Sequence, residues 1–455
     1  MSLPRYPKYR DSGLDWLGDI PVDWHHPKRL GEISSLKGRL GWQGLKADEY
    51  RAEGPYVVSS AHFSDFRIRW EDCPRVSDAR YEADINIQLY EGDVLLMKDG
   101  AAMGKLAFID SLPGPACLNS HLLLFRPLTL SGAASYVPKF AFYFMQTGFF
   151  QEHIRVNGTG ATFLGISQEA ISRYRVAWPI IDEQEVIVSF LDRETAKIDA
   201  LIAAQEKLLA LLAEKRQATI SHAVTRGLDH SVPMKDSGIP WLGDVPAHWE
   251  VRSVKSLATQ DGAIFIDGDW IESRNLSDDG IRYITTGNVG VGHYKEQGSG
   301  FISDTTFTQL RCTEVLAGDI LISRLNLPIG RSCVVPDLGM RVVTSVDNVI
   351  FRPGDDVCRD YLVYRFSAAD YLHETANLAS GATMQRISRT ELGAVRIALP
   401  PTEEQREIAN HLSREVNGID ALSVEAERSV DLLRERRGAL IAAAVTGQID
   451  VRGAV

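Results

Sequence analysis

The fourteen residues Asp11–Trp24 (DSGLDWLGDIPVDW) return 225 positions later as Asp236–Trp249 (DSGIPWLGDVPAHW). The run Gly92–Lys98 (GDVLLMK) returns 226 positions later as Gly318–Arg324 (GDILISR). Segments that recur in the same order at a nearly constant offset indicate a duplicated structural unit. We therefore predict that the chain of 455 residues folds as two similar units, each about half of its length.

The repeat continues into the second half of each unit at an offset of 221 residues. Gly160-Ala-Thr162 matches Gly381-Ala-Thr383, and Ile198–Leu201 (IDAL) matches Ile419–Leu422 (IDAL). The order of the matches never changes along the chain. Aligned positions in the two units can therefore be compared directly.

The first part of each unit, residues 1–181 and 230–400, predicts an α+β domain. Short apolar runs such as Val94–Met97 and Ile320–Ile322, broken by Gly, Pro, Asn and Asp, are typical of strands. Two aromatic-rich stretches each predict one helix, at 136–154 and 360–377. We expect four tryptophans to anchor the cores of these domains: Trp16, Trp24, Trp241 and Trp249.

The second part of each unit, residues 182–229 and 401–455, predicts one long helix. Apolar residues recur there at close to helical spacing, and Pro is absent from 182–224 and from 402–445. The predicted stripes are Ile187, Leu191, Ile198, Leu201, Leu208, Leu212 and Thr219 in the first helix, and Ile408, Leu412, Ile419, Leu422, Ala426, Leu433 and Leu440 in the second.

Start and stop signals frame both predicted helices. The pairs Asp182/Glu185 and Thr402/Gln405 have the spacing of a capping box. A glycine, Gly227 or Gly447, follows each last turn, where a C-cap glycine belongs.

A helix of about 40 residues cannot bury an apolar stripe by itself, but two similar helices can bury their stripes against each other. The sequence therefore predicts two pseudo-symmetric domains held apart by two long antiparallel helices, which form a coiled-coil-like spacer. The short link between Thr225 and Ser237 excludes a parallel arrangement, because it cannot span a helix of about 60 Å.

Composition and charge narrow the class of protein. Hydrophobic residues make up 44% of the chain and charged residues 24%, which excludes a largely disordered protein. There is no apolar run of membrane-spanning length and no apolar signal core, so we expect a cytoplasmic protein without membrane contact. We expect its five scattered cysteines to be free thiols.

The net charge of −11 opposes binding to nucleic acid by electrostatics alone. Its distribution is uneven: residues 182–229 carry 6 basic and 9 acidic residues, and residues 401–450 carry 6 and 10. Residues 1–181 are balanced, with 20 of each. The charge therefore does not exclude DNA binding by the α+β domains.

A search for catalytic motifs favours a non-catalytic protein. Gly104-Lys105 is followed by Leu106, so no Walker phosphate loop is present, and Gly-x-Gly-x-x-Gly and Gly-x-Ser-x-Gly are missing. His-x-x-x-His and Cys-x-x-Cys are also missing. We therefore expect no catalytic residue, metal or cofactor in this chain.

The ordered set of motifs, found twice, resembles the specificity subunit of type I restriction–modification systems. Besides the repeats above, each long helix is preceded by a similar approach, WPIIDEQ at Trp178–Gln184 and LPPTEEQ at Leu399–Gln405. The resemblance covers essentially the whole chain. It implies a non-catalytic subunit whose two target-recognition domains read the halves of a bipartite, asymmetric double-stranded DNA site.

The resemblance also implies protein partners. The long helices would dock two modification subunits, which bind S-adenosylmethionine and methylate adenine at N6, and restriction/translocase subunits would join through them. Two other interpretations stay open: a protein assembly scaffold without direct DNA readout, and a duplicated enzyme.

Three pairs of aligned loops combine glycine with hydrogen-bond donors and are our candidates for DNA contact. Loop A is Ser59–His62 and Thr285–Asn288, loop B is Lys98–Lys105 and Arg324–Arg331, and loop C is Asn157–Thr162 and Ser380–Arg386. Each loop could instead be a tight turn with solvated charges. The candidate residues, with two nearby arginines, are Ser60, His62, Arg67, Arg69, Lys98, Lys105, Thr162, Thr286, Asn288, Arg324, Asn326, Arg331, Gln385 and Arg386.

Overall fold

A computed structural model describes residues 3–38, 49–160, 164–298, 300–381 and 384–454. The chain divides into two compact units. The first unit is Met1–Gln205 with Arg428–Val455, and the second is Glu206–Glu427. Each unit contains one α+β domain and part of each of two long helices, which confirms the predicted fold class.

The described residues of the first unit form fourteen strands and several short helices, and the last of these strands comes just before the first long helix. The strands are β1 (Tyr9–Asp11), β2 (Asp19–Pro21), β3 (Lys28–Arg29), β4 (Ser34–Gly38), β5 (Arg51–Val58), β6 (Phe63–Ser64), β7 (Arg67–Ile68), β8 (Val94–Met97), β9 (Leu106–Phe108), β10 (Ala116–Leu118), β11 (Leu122–Pro127), β12 (Thr129–Leu130), β13 (Ala133–Ala134) and β14 (Arg175–Val176). The helices are α1 (Leu30–Ile33), α2 (Asp78–Glu82), α3 (Pro138–Met145), α4 (Gly148–Val156), α5 (Gln168–Ser172) and the long α6 (Ile181–Arg226).

The second unit repeats much of this order. Its strands are β15 (Met234–Asp236), β16 (Asp244–Pro246), β17 (Glu250–Ser253), β18 (Ile264–Asp267), β19 (Ile281–Ile284), β20 (Gly300–Ile302), β21 (Ile320–Ser323), β22 (Ser332–Val334), β23 (Val342–Thr344), β24 (Asn348–Arg352) and β25 (Arg396–Leu399). Its helices are α7 (Asp304–Leu310), α8 (Arg359–Ser367), α9 (Ala369–Asn377), α10 (Arg389–Ala394) and the long α11 (Thr402–Val445).

A four-stranded antiparallel sheet forms the centre of each α+β domain. Its order is β4-β11-β8-β9 in the first unit and β18-β24-β21-β22 in the second. The register also repeats: Leu123 lies opposite Leu96 in the first sheet, and Val349 lies opposite Ile322 in the second. Both pairs differ by the 226 residues of the sequence repeat, so aligned residues occupy equivalent positions in the two sheets.

The two aromatic-rich stretches each form two short helices rather than the single helix predicted. The break falls at Thr147, between α3 and α4, and at Ala368, between α8 and α9, where the backbone is extended. The Thr147 hydroxyl donates to the Phe144 carbonyl at 2.7 Å and helps to end α3. Most of the aromatic side chains are buried, as expected, although Phe149 is partly exposed.

The long helices α6 and α11 have 46 and 44 residues. Gly227 and Gly447 follow them with φ angles of 76° and 75°, which confirms the predicted C-caps. In the first unit the start of α6 and the end of α11 share one core, and in the second the end of α6 and the start of α11 share another. The two helices are therefore antiparallel in each unit.

Among the described residues, an ion pair joins the two long helices in each unit. Asp199 pairs with Arg437 at 2.8 Å in the first unit, and Arg216 pairs with Asp420 at 2.9 Å in the second. The partner number on α11 falls by 17 as the number on α6 rises by 17, from Asp199 to Arg216. Both pairs therefore fit the same antiparallel register.

The predicted apolar stripes are buried only in part. Ile187, Leu191, Ile198 and Leu212 of α6 are buried, and so are Ile408, Leu412, Ile419 and Ala426 of α11. Leu201, Leu208 and Leu422 are instead 52%, 41% and 59% exposed, so their assignment to the core was wrong. A pair of helices covers only the narrow facing seam of each, and residues beside the seam stay at the surface.

The predicted capping boxes are also wrong, because their residues make other contacts. Asp182 lies inside α6, and the Thr402 hydroxyl donates to the Asp356 carbonyl at 2.7 Å. The Gln405 amide accepts from the Cys358 backbone N–H and donates to the Pro400 carbonyl, both at 2.8 Å. Gln405 therefore ties the start of α11 to the start of α8.

A buried tryptophan and a glutamate mark the start of each long helix. The Trp24 indole N–H donates to Glu183 at 3.1 Å, and the Trp249 indole N–H donates to Glu404 at 3.0 Å. Trp24 and Trp249 are almost completely buried. Trp16 and Trp241 pack half-buried against the two cores, so the predicted anchoring role of the four tryptophans is confirmed.

Candidate nucleic-acid interface

Loops B and C of the first unit lie side by side at one end of its four-stranded sheet. Loop B follows β8 directly, and its Gly100 N–H donates to the Leu164 carbonyl, beside loop C, at 2.8 Å. The Lys98 N–H donates to the carbonyl of His121 at 3.0 Å. This last bond brings the turn before β11, residues 119–121, to the same place.

The second unit makes the same contacts with different side chains. The Asn326 N–H donates to the Gln385 carbonyl at 3.1 Å, and the Arg324 N–H donates to the Asp347 carbonyl at 2.8 Å. All four residues align with the four of the first unit in the sequence repeat. Loops B and C are therefore brought together in both units.

Loop A joins the group, because it follows directly from β5 or β19. Just before it, the Val58 carbonyl accepts from the Asn119 N–H at 2.9 Å, and the Ile284 carbonyl accepts from the Ser345 N–H at 3.1 Å. We call residues 59–62, 98–105, 119–121 and 157–165 the first loop surface, as far as they are described. Residues 285–288, 324–331, 345–347 and 380–386 are the second loop surface. Thr162 lies outside the described residues.

His62 and Asn288 hold the turns of loop A in the two units. His62 Nδ1 accepts from the Ser59 N–H at 3.0 Å, and Asn288 Oδ1 accepts from the Thr285 N–H at 2.9 Å. Burial lowers the pKa of His62, with Asp72 opposing and Arg69 reinforcing the shift. The neutral ring is the form that accepts at Nδ1. Ser60 is half-buried in the first turn, and Thr286 is half-buried in the second.

Asn288 was a candidate for base contact, but it is 1% exposed. Its amide donates to the carbonyls of Lys295 and Gln297 at 3.0 and 2.8 Å. The side chain is therefore occupied within the protein, and it shapes the loop rather than presenting a donor at the surface.

Arg324 was also expected at the surface, and the structure places it beneath the second loop surface. It is 5% exposed, its guanidinium donates to the Val346 carbonyl, and it pairs with Asp267 at 3.1 Å. Burial lowers its pKa, while Asp267 opposes that shift. A charged side chain is buried here because the chain's own acceptors replace water.

Arg331 braces the same surface through backbone carbonyls. Its guanidinium donates to Asn326 at 2.8 Å in loop B and to Thr286 at 2.9 Å in loop A. A third bond, at 2.8 Å, reaches Val289 just after loop A. Arg331 therefore connects the two loops, and little of its hydrogen-bonding capacity remains for a ligand.

Other candidates lie at the surface as expected. Lys105, Asn326 and Gln385 are exposed, whereas Lys98 is half-buried. Arg386 is 40% exposed and pairs with Asp347 at 2.9 Å. These side chains are the better candidates for contact with bases or phosphate.

Arg67 and Arg69 belong to the segment that follows loop A in the first unit. Arg67 is exposed and lies 4.0 Å from Asp110. Arg69 pairs with Asp72 at 2.9 Å and donates to the Ala61 carbonyl at 3.0 Å. Arg69 thus connects loop A to this segment.

The sequence analysis did not identify the aspartates that form ion pairs on the two loop surfaces. It also missed the turn before β11 and β24, which contributes a residue to each of these pairs. His121 pairs with Asp99 at 2.7 Å on the first loop surface, and Asp347 holds Arg386 on the second. His121 and Asp347 are aligned in the repeat, so the offset of 226 could have identified the turn before β11 and β24.

Metal ligands, membrane-spanning helices and cysteines can be described for the parts of the chain that the structure covers. No group of three His, Cys, Asp or Glu side chains in these ranges could hold a metal ion. In the same ranges, no helix is long and apolar enough to span a bilayer. The five cysteines are free thiols, as predicted.

Comparison with known proteins identifies a family. The model of the type I restriction modification DNA specificity domain matches residues 21–210 and 246–426, once in each half of the chain. The putative type I restriction enzyme MjaX specificity subunit of Methanocaldococcus jannaschii is 24% identical over 451 residues, which is 96% of each chain. The EcoKI specificity subunit of Escherichia coli K12 is 21% identical and is matched over 79% of this chain and 75% of its own length.

Solved structures show the same fold. A chain from a study of complex assembly and conformational transition of the type I R-M system is 17% identical, with a TM-score of 0.69 over 94% of this chain and 98% of its own. The HsdS subunit of Thermoanaerobacter tengcongensis is also 17% identical, with a TM-score of 0.52 and the same coverage. The chain therefore belongs to the family of type I restriction–modification specificity subunits, the non-catalytic components that recognise the DNA site.

Proposed function

We propose that each loop surface contacts one half of a bipartite, asymmetric site in double-stranded DNA. The observation that carries this proposal is that the loops occupy equivalent positions in the two units but have different side chains there. Gly100 of the first unit aligns with the exposed Asn326, and Leu164 aligns with the exposed Gln385. Equivalent loops with different hydrogen-bonding groups are suited to different base sequences.

The partners we propose are two modification subunits, with restriction/translocase subunits joining through them. In this proposal the modification subunits bind S-adenosylmethionine and methylate adenine at N6, and this chain holds no cofactor. Support comes from the long helices, whose segments 182–229 and 401–450 have net charges of −3 and −4. Their exposed leucines, such as Leu201 and Leu422, also suit a protein partner better than phosphate.

The test combines methylome sequencing with a binding assay. Adenine methylation in a host that carries the complete system gives both half-sites and the gap between them. Duplexes with the intact site, with either half scrambled, or with both scrambled are then titrated with the chain, alone and with its modification subunit. We expect the complex to prefer the intact site by a factor of about 1,000 or more over the doubly scrambled duplex.

Each half should contribute separately to this preference. Equal affinity of the complex for all four duplexes contradicts the proposal and favours the assembly scaffold. Salt concentration is kept constant throughout, because phosphate contacts make every affinity depend on it.

A further inference from the structure

Two large apolar side chains are exposed on the second loop surface. Leu327 in loop B is 63% exposed, and Met384 in loop C is 58% exposed. Leu325 and Arg386 form an antiparallel bridge just before them. The next residues, Asn326 and Gln385, are joined by a hydrogen bond from the Asn326 N–H to the Gln385 carbonyl, so Leu327 and Met384 each adjoin one residue of a bonded pair. Both side chains lie on the second loop surface, and we call the pair its apolar spot.

Polar and basic groups surround this spot. Asn326 and Gln385, the next residues inward, are both exposed and joined by a backbone hydrogen bond. Four arginines and two aspartates lie in or next to the second loop surface: Arg324, Arg331, Arg386, Arg389, Asp267 and Asp347. The partly exposed Arg386 and Arg389, together with the amide donors, complement a polyanion, so we place the apolar spot where duplex DNA would be bound.

The first unit differs at this position. Ala101 aligns with Leu327 and leaves only a methyl group in its place. The residue aligned with Met384 is Phe163, which lies outside the described residues. Leu327 is therefore a feature of the second loop surface alone.

We propose that Leu327 and Met384 contact the 5-methyl groups of thymines in the half-site read by the second unit. Among the four bases only thymine presents a methyl group, and it does so in the major groove, where apolar side chains recognise it. The proposal rests on the proposed function, and it adds a base type and two residues to it. A half-site read by the second unit should accordingly contain thymine.

The experiment uses the full chain with its modification subunit and duplexes that carry the mapped site. Thymines of one half-site at a time are replaced by 2′-deoxyuridine, which lacks only the methyl group. Each methyl group buried by Leu327 or Met384 should strengthen binding about fourfold. For the unmodified protein, we expect dissociation constants to rise by about this factor in one half-site.

The variants Leu327→Ala and Met384→Ala connect the effect to these side chains. Each should lower the thymine-to-deoxyuridine affinity ratio of that half-site toward one and leave the ratio of the other half-site unchanged. Leu316→Ala and Met340→Ala are matched controls, because these residues are 46% and 49% exposed and precede β21 and β23, at the ends of these strands opposite to the second loop surface. Both controls should keep the original ratio.

Three outcomes overturn the inference: a half-site without thymine for the second unit, no deoxyuridine effect in the unmodified protein, or an unchanged ratio in both Leu327→Ala and Met384→Ala. In each case site-specific binding persists, so the proposed function stands. A complex without any site preference contradicts the proposed function itself.

Discussion

His62 and Asn288 stabilise equivalent turns with different chemistry. Each accepts a hydrogen bond from the backbone N–H three residues earlier, one through a ring nitrogen and the other through an amide oxygen. The difference matters because protonation of a histidine nitrogen removes its acceptor, whereas an amide oxygen accepts at every pH.

This difference makes the first unit sensitive to acid. Burial lowers the folded-state pKa of His62, so below about pH 6.5 the unfolded chain binds a proton that the folded chain does not. Stability should therefore fall as the pH decreases from about 7.5 to 5.5. We expect His62→Asn to remove only a small part of this loss, because the ring is partly exposed and solvent weakens the effect.

The measurement is urea unfolding of both proteins at the two pH values. Burial also lowers the pKa values of His153 and His222, so some acid sensitivity should remain in the variant. An identical pH dependence of the free energy of unfolding in wild type and variant would show that His62 does not contribute.

Arg324 and Lys98 are aligned, but they differ in burial. Replacement of Arg324 by Ala removes the ion pair to Asp267 and the bonds to two backbone carbonyls, Val346 and Ile387. We expect Arg324→Ala to lower the free energy of unfolding of the second unit by about 1–3 kcal/mol. Lys98→Ala is the control and should cost less than about 1 kcal/mol. Equal losses in urea unfolding would contradict the supporting role assigned to Arg324.

At the scale of secondary-structure elements, the Glu-Gln motif in the first turn of each long helix has a structural role. The Gln184 amide accepts from the Val137 N–H and donates to the Pro179 carbonyl, both at 2.8 Å. In the second unit, Gln405 makes the equivalent two bonds to Cys358 and Pro400. These bonds attach the start of each long helix to its α+β domain. One buried amide is thus part of each junction between helix and domain.

Gln405→Ala tests this attachment. It leaves the Cys358 N–H without its acceptor, so we expect a loss of about 1–3 kcal/mol in the free energy of unfolding. The control Glu403→Ala alters an exposed residue of the same helical turn and should change stability by less than about 0.5 kcal/mol. Similar effects of the two substitutions in urea or thermal unfolding would refute the role of Gln405.

At the scale of the whole molecule, α6 and α11 both run from one compact unit into the other. If the proposed function holds, their length contributes to the gap between the two half-sites. Removal of residues 203–209 and 427–433 deletes seven residues from each helix in matching register. The deletion preserves the apolar face, because seven residues make nearly two full turns.

We expect this paired deletion to shorten the recognised gap by about three base pairs, since it removes ~10 Å of helix against ~3.4 Å per base pair. Methylome sequencing of a host with the shortened protein measures the gap directly. An unchanged gap with intact half-sites would show that the helices do not set the spacing.

Much of the architecture follows from the sequence by itself. The repeat of Asp11–Trp24 at Asp236–Trp249 determined that the molecule has two similar units, because duplicated patterns fold alike. The spacing of apolar residues and the terminal glycines determined α6 and α11, since helix periodicity and C-caps are local properties. The same repeat identified the loops that come together at the end of each sheet.

Only the tertiary structure decided which side chains reach the surface. Arg324 and Lys98 occupy the same place in the repeat, yet Arg324 turns inward because Asp267 and two carbonyls are there to receive it. The first unit has Gly38 where the second has Asp267, so no such carboxylate is available at that position. These partners lie far apart in the sequence, and burial of a charge depends on what long-range packing brings beside it.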